Sequence, residues 1–303
     1  MAVVIVGSMA FDTIETPFDR KERVLGGSCT YGAIAASLFD NPKIVGVVGD
    51  DFKDEHLDIL KSKGVDTAGV SREKGKSFFW EGKYHLDMNT RETIKTELNV
   101  FEKFDPKIPE NYKEAGFLFL ANIDPELQLK VLSSMQSPDF VVCDTMNLWI
   151  DIKKEKLEEV FRRVDCVVLN DEEVRQYTGK ANLLTGAKEI QKAGVTYVII
   201  KKGEHGASIL GPEGFYFSAP SFPVENVTDP TGAGDSFAGA FIGYIASAAK
   251  GGKISRDMIK KAVVYGNAVA SYTVEGFSID RLSSVSMKKI DERIEEIRNI
   301  TLF

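Results

Sequence analysis

The sequence has few of the residues that build metal and redox centres. Of its 303 residues, three are cysteine (Cys29, Cys143 and Cys166) and three are histidine (His56, His85 and His205). None falls into CxxC, HExxH or mixed Cys/His spacing, which excludes a zinc site and a disulfide framework and fits reduced thiols in a cytoplasmic protein. An excess of positive charge is missing as well: 38 Lys and Arg stand against 45 Asp and Glu, a formal net charge of −7. Nucleic-acid and anionic-membrane binders carry basic surface, so those partners are excluded and an anionic ligand must be held by local groups. No apolar run approaches the roughly 18 residues that a spanning helix needs, and MAVVIVGSMAFD at the start has no basic leader.

What is present is a rhythm of short apolar runs bounded by turn residues. VVIV at 3–6, KIVGVVG at 43–49, FLFLA at 117–121, FVVCD at 140–144, CVVLN at 166–170 and YVIIK at 197–201 alternate with amphipathic stretches such as 126–136, 153–163 and 182–193. Continuous apolar strands separated by helices are the pattern of a parallel sheet covered on both faces, so the expected fold is a doubly wound α/β sandwich forming one domain over 1–303. Residues 9–25 and 74–100 break the rhythm, mixing aromatic and β-branched residues with polar ones and carrying Gly75 and Gly82. They predict a small antiparallel sheet, either a lid over the core or an edge extension of the main sheet. Its apolar face is a candidate homodimer surface. The charged amphipathic stretch 286–299 reads as a packed terminal helix.

The stretch TDPTGAGDSFAGAF at 228–241 carries the most chemistry. Asp229, Pro230 and the Thr-Gly-Ala-Gly run are turn residues, whereas Phe237, Ala240, Phe241, Tyr244, Ile245 and Ala248 fall at helical spacing. The bare residues therefore lie on a first helical turn, where free N–H groups and the helix dipole attract an anion and absent side chains let a phosphate approach. A carboxylate beside such a cradle hinders phosphate binding alone. Asp235 makes sense there if it takes the proton of a hydroxyl attacking phosphorus.

DPTGAGDSFAGAF resembles the carboxy-terminal signature of the ribokinase (PfkB-type) family of carbohydrate and nucleoside kinases, and the resemblance spans nearly the whole chain. It implies that Asp235 is the catalytic base, that the amides of Gly232, Ala233 and Gly234 stabilise the moving phosphoryl group, and that ATP and Mg²⁺ are the cofactors. GSMAFD at 7–12 is similar to the segment whose acid, here Asp12, binds substrate hydroxyls; GGSCTYGAIAAS at 26–37 is similar to the di-glycine motif, giving Gly26 and Gly27. Two departures stand in that motif: Tyr31 where Asn is usual and Ser28 where ribokinases often have Lys. LNDEE at 169–173 matches the Asn-x-x-Glu motif, which implies Asn170 and Glu173 near Mg²⁺ through water. From the residues alone it is a helix start with acids in its first turn. IIKKGEHGA at 199–207 resembles the nucleotide-lining segment, implying Lys202, Gly203 and Gly206, with Thr231 also at the nucleotide and His205 exposed. YGNAVASYTVEGFS at 265–278 is similar to the segment closing over adenine, with Asn267 as a polar contact. In members that use a monovalent cation such as K⁺, positions equivalent to 274–276, Asp229 and Thr231 supply ligands. Asp144 and Asn147, after a strand end, are second-rank phosphate-side candidates, and Arg91, beside Trp80, Tyr84 and Asn89, is the lid residue expected to touch ligand.

GVSREKGKS at 69–77 imitates a phosphate-loop motif, but the required first glycine is Val70 and the segment does not join a strand to a helix. A dinucleotide oxidoreductase lacks its GxGxxG after the first strand. The expected activity is ATP-dependent phosphorylation of a hydroxyl on a sugar or sugar-like molecule, with a nucleoside as the alternative acceptor. A catalytically silent nucleotide-binding regulator is the rival from another class. No cluster of arginines offers to hold a second phosphate, which favours an uncharged acceptor.

Overall fold

Strands form where the sequence places its short apolar runs. The computed structural model describes residues 2–302. The strands in chain order are β1 (Val3–Val6), β2 (Ala10–Glu15), β3 (Arg20–Gly26), β4 (Lys43–Val48), β5 (Asp66–Arg72), β6 (Phe78–Tyr84), β7 (Arg91–Glu97), β8 (Phe117–Leu120), β9 (Phe140–Asp144), β10 (Cys166–Asn170), β11 (Tyr197–Lys201), β12 (Ala207–Leu210) and β13 (Tyr216–Ala219). Nine of them make one sheet in the order β13-β12-β11-β10-β9-β8-β1-β4-β5. It is parallel from β11 to β5, and β12 and β13 add an antiparallel edge.

Neighbouring residues of a strand point to opposite faces, so a strand buried on both sides must be apolar throughout. Val3, Ile5, Phe117 and Phe119 enter one core with the helices Ser28–Ala36, Ala233–Ala249 and Arg256–Thr273. Val4, Val6, Leu118 and Leu120 enter the other with Pro125–Ser134, Lys154–Phe161 and Leu183–Gln191. This is the doubly wound sandwich. The stretch 153–163 is not one helix from its first residue: Asn147–Ile152 precedes Lys154–Phe161, and the break falls at Lys153 (φ −137°), whose Nζ is held by Asp124 and Glu126 at 2.7 Å each.

One contact between helices positions the site. Gly239 of Ala233–Ala249 lies so close to Ser28–Ala36 that a Cβ would stand 2.2 Å from the Gly32 carbonyl oxygen. Small residues let the two backbones meet, which fixes the start of one helix against the di-glycine turn that begins the other.

The remaining strands form a second sheet in the order β3-β2-β6-β7. Two antiparallel hairpins, β2–β3 and β6–β7, are joined by parallel pairing of β2 with β6 that sets Asp12 opposite Trp80. The small sheet is thus separate from the main one, with Ile14, Tyr84 and Phe277 buried beneath it. Residues 69–72, the first part of the phosphate-loop imitation, belong to β5 at the edge of the main sheet rather than to the small sheet, and no helix follows them. Met287–Asn299 packs through Ile290, Arg293 and Ile297. Among the described residues no helix is long and apolar enough to cross a membrane.

Candidate active site

The carboxyl ends of β9, β10 and β11 lie side by side, and Asn170 is the register partner of Lys201. In a parallel sheet this edge is where ligands bind. The start of Ala233–Ala249 faces the same edge. Its N-cap is Gly232 in the left-handed region (φ 77°), without a side-chain cap. A Cβ on Gly232 would lie 2.4 Å from the Tyr31 ring, so the ring packs flat beneath the turn and only glycine fits. The Ala233 N–H donates to the Pro230 carbonyl at 3.2 Å and the Ser236 N–H to that of Gly232 at 2.8 Å. The uncapped helix start nevertheless keeps the anion-attracting dipole at this point.

Asp235 sits in the first turn and is half-buried. Loss of hydration raises its carboxyl to about 7; the charge of Asp144 adds, and Lys201 and Arg91 oppose. Asp12 is fully enclosed in β2, and burial pushes it to about 8, helped by the charges of Asp229 and Asp235 and opposed by a bond from the Gly27 amide. Its carboxylate lies on bare backbone, because a Cβ on Gly26 would fall 1.9 Å from Oδ2. Gly27 (φ 95°) has no room either: a Cβ there would stand 2.4 Å from the Ser8 carbonyl oxygen. Asp12, Gly26, Gly27 and Tyr31 therefore form one wall. The Tyr31 hydroxyl is buried with no hydrogen-bond partner, as are those of Thr145 and Ser236, beside Asp144 and Asp235. Buried hydroxyls of this kind await a polar ligand or water.

The Asn170 side chain accepts the Glu173 N–H and the Glu173 carboxylate accepts the Asn170 N–H, both at 2.7 Å, a reciprocal capping box. Glu173 is still drawn into the site's electrostatics: burial lifts it to about 7, against the pull of Lys201. Asp229 accepts the Thr231 N–H at 2.8 Å and the Ser278 N–H at 3.3 Å, and burial holds it at about 6. The Val274 carbonyl accepts the Thr228 and Asp229 N–H groups. Asn267 is buried and donates both amide protons to the carbonyls of Ala219 and Pro220.

Arg91 lies at the mouth, 5.9 Å from the Trp80 ring centroid, and its charge is felt at Asp12, Asp235 and Glu173. Tyr84, from the same hairpin, accepts a hydrogen bond from the Thr231 hydroxyl at 3.1 Å across 147 residues. The hairpin tip reaches the turn Gly203–His205: a Cβ on Gly203 (φ 54°) would stand 3.0 Å from Asn89 Oδ1. Gly206 (φ 81°) abuts the Ala219 carbonyl, and His205 is exposed. Lys202 points away, donating to Ser218 Oγ at 3.3 Å on an exposed edge, and Asn147 donates to Gln176. The cation in the site is Lys201, whose Nζ lies 3.3 and 3.4 Å from the Asp144 carboxylate oxygens. Its trace in the sequence is the first of two adjacent lysines that follow the apolar run YVII.

Among the described residues, no group of three or more acidic, histidine or cysteine side chains is arranged to hold a metal by itself. Four enclosed carboxylates, Asp12, Asp144, Glu173 and Asp229, and the half-buried Asp235 stand against Lys201 and Arg91. That imbalance fits a divalent cation arriving with phosphates and completing its shell with water.

The profile of the pfkB family of carbohydrate kinases matches residues 3–281, and this chain belongs to that family; it is a kinase. It is 31% identical over 249 residues to a cytidine kinase of Thermococcus kodakarensis, covering 80% of this chain and 88% of that one. Among solved structures it is similar to the Burkholderia thailandensis nucleoside kinase in complex with inosine (TM-score 0.79, 20% identity, 98% and 99% of the two chains). It is equally similar to an E. coli protein described as ribokinase II, in complex with ATP and Mg²⁺ (TM-score 0.78, 20% identity, 97% and 99%).

Proposed function

We propose that this protein transfers the terminal phosphoryl group of ATP to a hydroxyl of a nucleoside, with Asp235 as general base. The observation that carries the reading is the placement of Asp235 on an uncapped glycine turn that rests on Tyr31, the ring beside the Asp12 wall. Asp12 and the unpartnered Tyr31 hydroxyl orient the acceptor's hydroxyls, and Asp235 takes the proton of the one that attacks. The uncapped start of Ala233–Ala249 offers its dipole to the nucleotide's phosphates, while Gly203 and Gly206 shape the nucleotide side. Asn170 and Glu173 would hold the water shell of Mg²⁺, and the ion would supply charge neutralisation at the phosphates. The small sheet acts as a lid, with Tyr84 and Asn89 bringing it against the two ligand-side loops.

A nucleoside is favoured over a free sugar by two features. Trp80 is the register partner of Asp12, so an aromatic surface flanks the hydroxyl-binding acid on the small sheet and suits a flat base. The 31% identity to a cytidine kinase points the same way.

The test is ADP release with ATP and Mg²⁺ over cytidine, other nucleosides, ribose and inositols. A nucleoside should exceed ribose at least tenfold in kcat/KM. Ribose or an inositol as the best acceptor would overturn the nucleoside assignment, and no turnover with any acceptor would favour the silent regulator.

A further inference from the structure

Lys201 closes the apolar strand β11, where an alternating pattern sends Lys202 outward and Lys201 into the cleft. Its side chain is 18% exposed, and its charge is felt by three acids. Burial disfavours the ammonium, but Asp144 and Glu173 outweigh that and hold it protonated, with Asp235 contributing. Asp144 is the one hydrogen-bond acceptor it reaches among the described residues, at 3.3 and 3.4 Å. Charge-assisted N–H···O bonds normally close to about 2.7–2.9 Å, so this pairing is loose and leaves donors to offer. The Asp144 Oδ1 atom is also taken by the Thr145 N–H at 2.9 Å.

The ammonium rests against the first turn of Ala233–Ala249. A Cβ on Gly234 would stand 2.8 Å from Lys201 Nζ. Gly234 has an ordinary helical backbone that any residue adopts, so its φ does not require glycine. Its missing side chain makes room for this cation. The helix start and the lysine thus converge on one small volume beside Asp235, with positive potential from both.

We propose that Lys201 is a catalytic residue that binds the γ-phosphoryl group of the nucleotide, its ammonium seated on Gly234 and shared from Asp144 to the phosphate oxygens as the group moves. The inference rests on the kinase reading above. In the step it assists, a bond forms between the acceptor oxygen and γ-phosphorus and the bond from γ-phosphorus to the β-bridging oxygen breaks. The hydroxyl proton passes to Asp235 and ADP leaves. Lys201 remains protonated throughout, so no further reactant is needed.

The experiment compares the binding of AMP-PNP and ADP, each with Mg²⁺, by calorimetry, alongside turnover on the best acceptor. Lys201→Met should weaken AMP-PNP tenfold or more and leave ADP within twofold, with kcat reduced at least a hundredfold. A purely structural lysine would weaken both nucleotides alike. Gly234→Ala keeps the lysine but displaces its ammonium, and should show the same selective loss. Should Lys201→Met fail to fold because Asp144 loses its counter-ion, Lys201→Gln with Asp144→Asn removes both charges and should give the same signature. An unchanged AMP-PNP to ADP ratio in variants that fold overturns the role of Lys201 while the kinase reading stands. Wild-type protein that binds neither nucleotide overturns that reading, and this inference with it.

Discussion

Asp235 combines two properties that a general base needs, a side chain that is only half-buried and a carboxyl raised to about 7 by burial and by Asp144. It must be ionised to accept a proton, so kcat/KM for the acceptor should fall about tenfold per pH unit below pH 7 and level off above it. Asp235→Asn should lower kcat by roughly 10²–10⁴-fold, abolish that pH limb and leave nucleotide binding intact. Near wild-type turnover in this variant would remove Asp235 from the mechanism. A second prediction concerns the wall. Asp12→Asn should raise the acceptor's KM about tenfold with little effect on the KM for ATP. Gly26→Ala should do the same, because its Cβ would displace the Asp12 carboxylate from 1.9 Å away. If Gly26→Ala leaves the acceptor's KM unchanged, the carboxylate does not depend on that bare backbone. The glycines and acids were readable from the sequence because their spacing carries a motif. The lysine was not: YVIIKK offers two adjacent positive charges, and which one faces the cleft depends on the strand's register in the sheet.

At the scale of elements, the hairpin β6–β7 is tied to the turn before Ala233–Ala249 by the bond from Thr231 to Tyr84. A neutral hydrogen bond of this kind is worth about 1 kcal/mol, which is roughly fivefold in a rate or equilibrium constant. Tyr84→Phe should therefore lower kcat about fivefold, leave the KM for ATP unchanged and shift Tm little. Unchanged kcat would mean that the small sheet and the turn before Ala233–Ala249 act independently. The parallel strands were legible because burial on both faces demands uninterrupted apolar runs, as in VVIV and CVVLN. The antiparallel edge strands β12 and β13 were not, since ASIL and YFSA are four residues each and carry serine. The parallel seam between β2 and β6 joins segments more than 60 positions apart, which local pattern cannot reveal. The capping box at Asn170 and Glu173 shows the same ambiguity in reverse, because one spacing serves a helix start and a cation's water shell equally well.

The whole molecule holds its site at the expense of its own stability. Asp12 and Asp235, at about 8 and about 7, bind protons in the folded state that they would release on unfolding, where both return to an ordinary value of 3.8. A folded-state pKa raised in this way gives stability that is complete below the unfolded value and is lost as pH rises through the folded one. The slope of unfolding free energy with pH is negative over that interval because the native state binds more protons. The unliganded protein should therefore melt several degrees lower at pH 8.5 than at pH 5.5, given about 2–4 °C per kcal/mol for a chain of this class. Asp12→Asn with Asp235→Asn should weaken the dependence, leaving the part carried by Glu173 and Asp229, and raise Tm at pH 8.5, the usual trade of stability against a charged site. Mg²⁺ with ADP brings cations toward the ionised acids, so its stabilisation should be larger at pH 8.5 than at pH 5.5. A melting temperature that rises between those two pH values in the absence of ligand would contradict the raised acids and, with them, the base assigned to Asp235.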